Sequence, residues 1–326
     1  MDNVCHTLVG AALGEAGLKH RTRWGATALM VAANLPDIDV LVFATSTPSV
    51  SFRRGWTHGV LAQALLPVVL VGGLMALDRW RRRRESPGSR QRDRCRPFWL
   101  LVLAYVGLYS HVFLDYLNNY GVRLLAPFDW RWFYGDAVFI VDPWLWASLG
   151  IGVWLARRTR RPRPALVALV VAACYVVGML TVAREAKAFV AGAWEARSGR
   201  PARALMVGPV PVVPWTREVI IDAGDHYRTG RFTAWPAGLE LSDEVVYKND
   251  AAGPVAAARG APPVAGFLVW ARFPFWDVTP SAAGATATVR DMRFRNRLGG
   301  GFAASADVPA SPTSQSSAAP HHRPGS

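Results

Sequence analysis

Six apolar runs, separated by polar or basic breaks, fill the first part of the chain at residues 4–18, 24–43, 58–77, 98–117, 138–156 and 165–183. A helix needs about 20 consecutive apolar residues to cross a bilayer. The first run is too short to cross unaided, and four or five of the others qualify. The second is interrupted by Asn34-Leu35-Pro36-Asp37-Ile38-Asp39, where proline takes a donor out of any continuous helix. Beyond residue 184 the pattern changes. Prolines multiply, and short strand-like pieces occur at 210–213, 218–222, 266–273 and 285–293. From residue 303 the chain is rich in Ala, Ser and Pro and ends near His321-His322, which reads as disordered tail. The predicted fold is therefore mainly α. A polytopic membrane helical bundle (1–184) precedes a small, mostly β, C-terminal extramembrane domain (185–302) and a tail (303–326).

Composition agrees with the pattern. Hydrophobic residues make up 51% and charged residues 18%, with 14 Trp, a balance that favours a membrane protein. The formal net charge of +14 would suggest nucleic acid if it formed one surface patch. Instead the arginines and lysines sit in short blocks between apolar runs, so no nucleic-acid partner is expected. The blocks follow runs one, three and five: Lys19 to Arg23, Arg79 to Arg96, and Arg157 to Arg163. The loops after runs two and four hold only Arg53 and Arg54, and Arg123 and Arg131. Basic loops mark the cytoplasmic face, so the runs alternate across the membrane. The C-terminal domain then lies outside, in a periplasm-like space. Residues 1–17 lack a basic start and contain Glu15, which predicts no cleaved signal peptide. Cys5, Cys95 and Cys174 are too scattered for a metal finger or a disulfide framework.

This path sends the unusual polar residues to one end. His6 opens run one, Asp37 and Asp39 fall toward the end of run two, and His58 opens run three. His111 and Asp115 close run four, and Asp136 and Asp142 open run five. On a helix His111 and Asp115 are one turn apart on the same face, where they can chelate one divalent metal. Singly, each polar residue has a bland explanation: Asp37 and Asp39 as caps at a helix break, Asp142 before Pro143 as a helix start. Together they are ionisable groups gathered at one membrane depth, which costs free energy and marks a functional site.

Residues 2–8 (Asp-Asn-Val-Cys-His-Thr-Leu), Leu35-Pro36-Asp37-Ile38-Asp39, Arg54-Gly55-Trp56-Thr57-His58 and Ser110-His111 with Asp115 form a pattern. It resembles the YdjM-like family of bacterial inner-membrane, metal-dependent hydrolases over residues 1 to about 185. The order of ligand types is also similar to zinc-dependent phospholipase C and the fungal single-strand nucleases. The resemblance implies one metal held by Asp37 or Asp39, His58, His111 and Asp115. It implies a second held with His6, with Asp115 bridging. The histidines that would complete a third site, and an amino-terminal tryptophan ligand, are not part of the pattern here. The implied cofactor is a divalent metal, zinc, and the implied activity is hydrolysis. Asp142, Asp136, or whichever of Asp37 and Asp39 is not a ligand would orient water. At this depth the partners are membrane lipids, and the substrate is an amphipathic phosphoester or ester. Two alternatives belong to other classes: a transporter or proton relay, and a non-catalytic scaffold stapled by a structural metal.

The arginine bias makes a direct prediction. Reporter fusions after Arg84 and Arg161 should score as cytoplasmic and a fusion after Gly208 as external. A cytoplasmic score at Gly208 would overturn the one-face argument.

Overall fold

The computed structural model describes residues 1–84, 94–282, 284–295 and 302–309. Helix α1 (Asn3–Glu15) starts on Asp2, whose carboxylate accepts from the backbone N–H of Val4 and Cys5 at 2.9 and 3.1 Å, a side-chain cap for otherwise orphaned donors. A 3-10 turn (Leu18–Arg21) leads to α2 (Gly25–Ala32). A 3-10 segment, Leu35–Ala44, follows Pro36's interruption and bends away from α2 by 48°. Its buried stripe runs through Pro36, Asp39 and Val42, with Asp37 beside it, as three residues per turn requires.

One turn of helix, α3 (Ser49–Phe52), precedes the long helices α4 (Val60–Arg84), α5 (Pro97–Tyr116), α6 (Pro143–Thr159) and α7 (Arg163–Ser198). Among the described residues α4, α5 and α7 are long and apolar enough to cross a membrane. The bent pair of α2 and its 3-10 segment would make a fourth. This lowers the sequence-based count of four or five. Run five loses its first residues to an extended stretch, because Asp142 caps the backbone ahead of Pro143 and leaves a helix of 17 residues. The boundary near 184 also moves. The buried stripe of α7 continues through Ala183, Ala186 and Val190, so the helix runs on to Ser198.

A four-stranded antiparallel sheet follows, in the order β1 (Ala204–Pro209), β2 (Thr216–Asp222), β3 (His226–Ala234), β4 (Ala237–Tyr247). Val207, Val219, Ile221 and Phe232 pack with Ala186 and Val190 of α7 in one apolar cluster. Residues 210–213 are not a strand. Pro209 and Pro214 flank them and Pro211 lies within, removing donors a ladder needs. After α8 (Gly253–Ala258) comes α9 (Pro262–Trp270), which occupies much of the expected strand at 266–273. A short apolar run reads equally as strand or buried helix, and here the two leading prolines favour a helix start. Strands β5 (Pro274–Ser281), β6 (Gly284–Asp291) and β7 (Ala303–Pro309) form a second antiparallel sheet. The expected tail therefore begins later, since residues 303–309 pair with β6. Residues 310–326, with His321 and His322, lie outside the described residues.

The chain divides into two compact units, Met1–Gly224 with Arg228–Val245, and Asp225–Tyr227 with Val246–Ser326. In the second, Asp291 is fully buried. Burial opposes its ionisation, but the Arg293 guanidinium at 2.9 Å and the backbone N–H groups of Arg293 and Phe273 hold its pKa below the ordinary value.

In the first unit, α5 lies directly on α2. A Cβ at Gly107 would fall 2.6 Å from the Leu29 carbonyl oxygen and 2.9 Å from Ala32 Cβ, so only glycine permits this approach, as at many helix crossings in membranes. Replacing Gly107 with Val should cost about 1–3 kcal/mol by overpacking. Gly72→Ala, whose new methyl would meet nothing within 4 Å, should stay within about 1 kcal/mol of the parent. Unfolding of both variants in detergent micelles checks this, and equal stability would refute the close-packed crossing.

Candidate metal centre

The bend after α2, the segment before α4 and the end of α5 meet at one buried cluster. Asp37, His58, His111 and Asp115 each offer a ligand atom, and these atoms all lie within 4.8 Å of one another. Asp115 and both imidazoles are completely buried. His58 Nε2 and His111 Nε2 are 3.1 Å apart, and Asp115 Oδ2 is 3.2 Å from the first and 3.5 Å from the second.

What each nitrogen carries follows from its opposite side. His111 Nδ1 lies 2.8 Å from the carbonyl oxygen of Ala33. A carbonyl only accepts, so Nδ1 holds the proton. His58 Nδ1 lies 3.0 Å from Thr57 Oγ1, and Thr57 Oγ1 lies 3.2 Å from Asp39 Oδ2. The carboxylate takes the hydroxyl proton, so the hydroxyl oxygen accepts from His58 Nδ1–H. Both Nε2 atoms then present lone pairs to each other, and Asp115 Oδ2, which has no hydrogen-bond donor, presents a third. Three electron-rich atoms converging without a proton between them are poised for a cation. Tetrahedral sites with ligand bonds of about 2.0–2.1 Å have ligand–ligand edges of roughly 3.3 Å, and the three observed edges bracket that value. The residues fit a divalent ion.

Asp37 and Asp39 divide their labour. Asp37 belongs to the converging group. Asp39 is 2% exposed and stands behind it: its Oδ2 accepts from the Arg54 backbone N–H at 2.8 Å and from Thr57. Such a carboxylate behind a ligating histidine fixes ring orientation and tautomer. The Arg53 guanidinium spans both, 3.3 Å from Asp37 Oδ1 and 3.2 Å from Asp39 Oδ1.

His6 is fully buried and stacks on His111 with ring centroids 3.8 Å apart. Its Nε2 is 3.4 Å from Asp115 Oδ1, and neither ring nitrogen has a hydrogen-bond partner. It lies beside the group of four without belonging to it. Asp142 is placed otherwise. Its Oδ1 caps α6 through the N–H groups of Trp144 and Leu145, and its Oδ2 accepts from the Tyr175 hydroxyl at 2.9 Å. The backbone carbonyl of Asp136 accepts from Arg217 at 3.2 Å. Both aspartates are outside the converging group.

In the sequence Arg54 was a loop charge and one residue of the family pattern, with no part in the site. In the structure it is 5% exposed, with φ 53, an unusual conformation for a non-glycine residue. Its guanidinium donates to Asp115 Oδ1 at 2.8 Å and to Asn118 Oδ1 at 3.0 Å, and lies over the Tyr120 ring. The Met1 amino group also contacts Asp115 Oδ1. Charge therefore saturates one oxygen of Asp115 and leaves the other for the imidazoles. The available signal was an arginine between two apolar runs, on the side where basic residues are scarce. Gly59 supports the same arrangement. A Cβ there would sit 2.2 Å from the Ala126 carbonyl oxygen, so the chain beside His58 closes tightly on the loop after α5.

Comparison with known proteins gives two findings. The model of the family described as YdjM inner membrane protein matches residues 1–186, which include every residue of the cluster. The uncharacterized protein YfhP of Bacillus subtilis (strain 168) is 26% identical over 170 residues, covering 48% of this chain and 47% of that protein. The chain thus spans about half the length of the curated relative it matches. No solved structure gives a significant match.

Removing one member of a buried ion pair leaves the other uncompensated, typically at a cost of about 3–5 kcal/mol. Arg54→Met should show a loss of that order in micelle unfolding, and Arg54→Met with Asp115→Leu should recover most of it. A single variant as stable as the parent would mean that Arg54 does not compensate Asp115.

Proposed function

We propose, on the premise that the chain belongs to the YdjM inner membrane protein family, that it is a membrane-bound, metal-dependent hydrolase acting on a phosphoester or ester of an amphipathic, lipid-like substrate. The observation that carries this reading is the convergence of His58 Nε2, His111 Nε2 and Asp115 Oδ2 with edges of 3.1, 3.2 and 3.5 Å. Asp37 adds a fourth ligand, and His6, whose two ring nitrogens are unpartnered beside the group, is the residue that would serve a second ion. The donor set of imidazole and carboxylate suits zinc. When bound, such an ion acidifies water and polarises a phosphoryl or acyl oxygen.

The chain's own residues have distinct parts. Asp39 and Thr57 hold the His58 ring, and the Ala33 carbonyl holds His111, so both lone pairs keep their aim. Arg54 fixes Asp115 from the far side. Arg53, which is partly exposed and bridges Asp37 and Asp39, is the cation placed to meet an anionic group. The 3-10 segment carrying both aspartates exposes Ile38, Val40, Leu41 and Phe43 by 47–65%. A polar centre next to an outward apolar face is what an amphipathic substrate requires. We place this face, and the C-terminal units, on the periplasmic side of the inner membrane, from the arginine bias of the loops.

The reading that competes is a metal that only staples helices, and it predicts bound metal without turnover. Metal per protein should fall sharply in Asp115→Asn, His58→Gln and His111→Gln while His20→Gln stays at the parent level, with folding checked by monodispersity. Hydrolysis of a fluorogenic phosphodiester and of phospholipid vesicles should fall in step with the metal. Full occupancy in the first three variants would sink the metal centre. Normal occupancy in the parent with no turnover on any ester would favour the staple.

A further inference from the structure

The other end of the helical unit carries a concavity. Ion pairs and a cation–ring contact tie its basic segments together: Arg157 Nε lies 3.0 Å from Glu15 Oε1, Lys19 contacts Glu15 Oε2, and Arg21 lies over the Trp99 ring at 4.9 Å. Nearby, Asp78 accepts from Trp24 Nε1 at 2.9 Å and from Arg82 Nε at 2.6 Å. Between the end of α1, the 3-10 turn and the turn joining α6 to α7 is a cleft of about 380 Å³. This lies within the usual range of roughly 300–1,000 Å³ for ligand pockets. Lys19, His20, Arg157, Arg160 and Arg161 line it with Glu15.

The charge balance there is uneven. Glu15 is the lone carboxylate of the lining, and Lys19 and Arg157 already occupy its two oxygens. Arg160 and Arg161 make no ion pair among the described residues, and both are exposed. Loop arginines that only set topology need not surround a cavity, whereas these do. The depth is also defined. The apolar stretch of α7 begins just after Arg163, and the Arg158 guanidinium sits 5.3 Å over the Trp154 ring, the pairing expected at headgroup level. Along α1 the cleft is nine residues from His6, about 14 Å of helix, so it is separate from the metal centre. A concave, cationic, interfacial site between helices at the basic end of a membrane bundle matches the phosphate of an anionic lipid headgroup.

We infer that this cleft is a binding site for the headgroup of an anionic phospholipid, held by Lys19, Arg160 and Arg161 with Arg157 oriented by Glu15. The test uses the detergent-purified full chain and native mass spectrometry with added phosphatidylglycerol or phosphatidylcholine of identical acyl chains. Phosphatidylglycerol should bind at least about tenfold more tightly, since each nearby Lys or Arg attracts the net negative headgroup and not the zwitterionic one. The preference should vanish in the triple variant Lys19→Gln, Arg160→Gln, Arg161→Gln. It should persist in Arg81→Gln, Arg83→Gln, Arg84→Gln, which removes equal charge from the end of α4. If the first triple variant does not fold, Arg161→Gln alone should reduce the preference measurably. Equal binding of the two lipids, or equal loss in both triple variants, would overturn the site. Displacement of phosphatidylglycerol by 10 mM inorganic phosphate, at about that concentration where screening is still modest, would overturn the lipid assignment in favour of a free anion.

Discussion

A carboxylate without solvent governs this architecture. Asp115 sits at the end of a helix suited to cross a membrane and is fully buried. Taking an ionised carboxylate out of water costs several kcal/mol after relaxation, so it persists only where partners compensate it. The chain itself compensates only one of its two oxygens, and the other faces imidazole lone pairs. Oδ1 meets the Arg54 guanidinium and the Met1 amino group, while Oδ2 meets the Nε2 atoms of His58 and His111. Segments far apart in sequence are thereby committed to one point: the chain start, the loop before α4 and the end of α5.

The backbone around that point is arranged to keep the imidazoles aimed. His111 is fixed by the carbonyl of Ala33, which is available because α2 ends at Ala32 and the chain bends there. That bend also brings Asp37 and Asp39, both buried, to the same level, and the 3-10 winding that follows separates their roles. One joins the ligand group and the other supports His58 through Thr57. Gly107 and Gly59 make the necessary approaches possible, the first between helices and the second between a helix start and a loop.

The two ends of the helical unit differ in the way they manage charge. At the Asp115 end, charges are buried, paired and few. At the Glu15 end, arginines outnumber carboxylates, lie against tryptophan rings and surround a cleft. A bilayer imposes this division: apolar lengths set the separation, and headgroup-level cations tolerate water while the buried cluster excludes it.

Apolar run length and the placement of arginines determined the helical character and pointed to His6, Asp37, Asp39, His58, His111 and Asp115 as residues sharing one end of the helical runs. Both are properties of local composition, so they could be read without coordinates. The i, i+4 spacing of His111 and Asp115 likewise placed them on one face, because helical geometry is local. What the pattern left open was decided by tertiary packing. Asp37 and Asp39 are two apart on a broken helix, and only the 3-10 winding against Arg53, Arg54 and Thr57 assigns each its neighbours. Asp142 has the composition of a site residue, yet both oxygens are spent on the α6 cap and Tyr175. Arg54 looked like a loop charge until Asp115 and Asn118 were brought to it. Strand against helix at 266–273 was open for the same reason: a short apolar run carries no period, and its prolines and its neighbours in space settle its form.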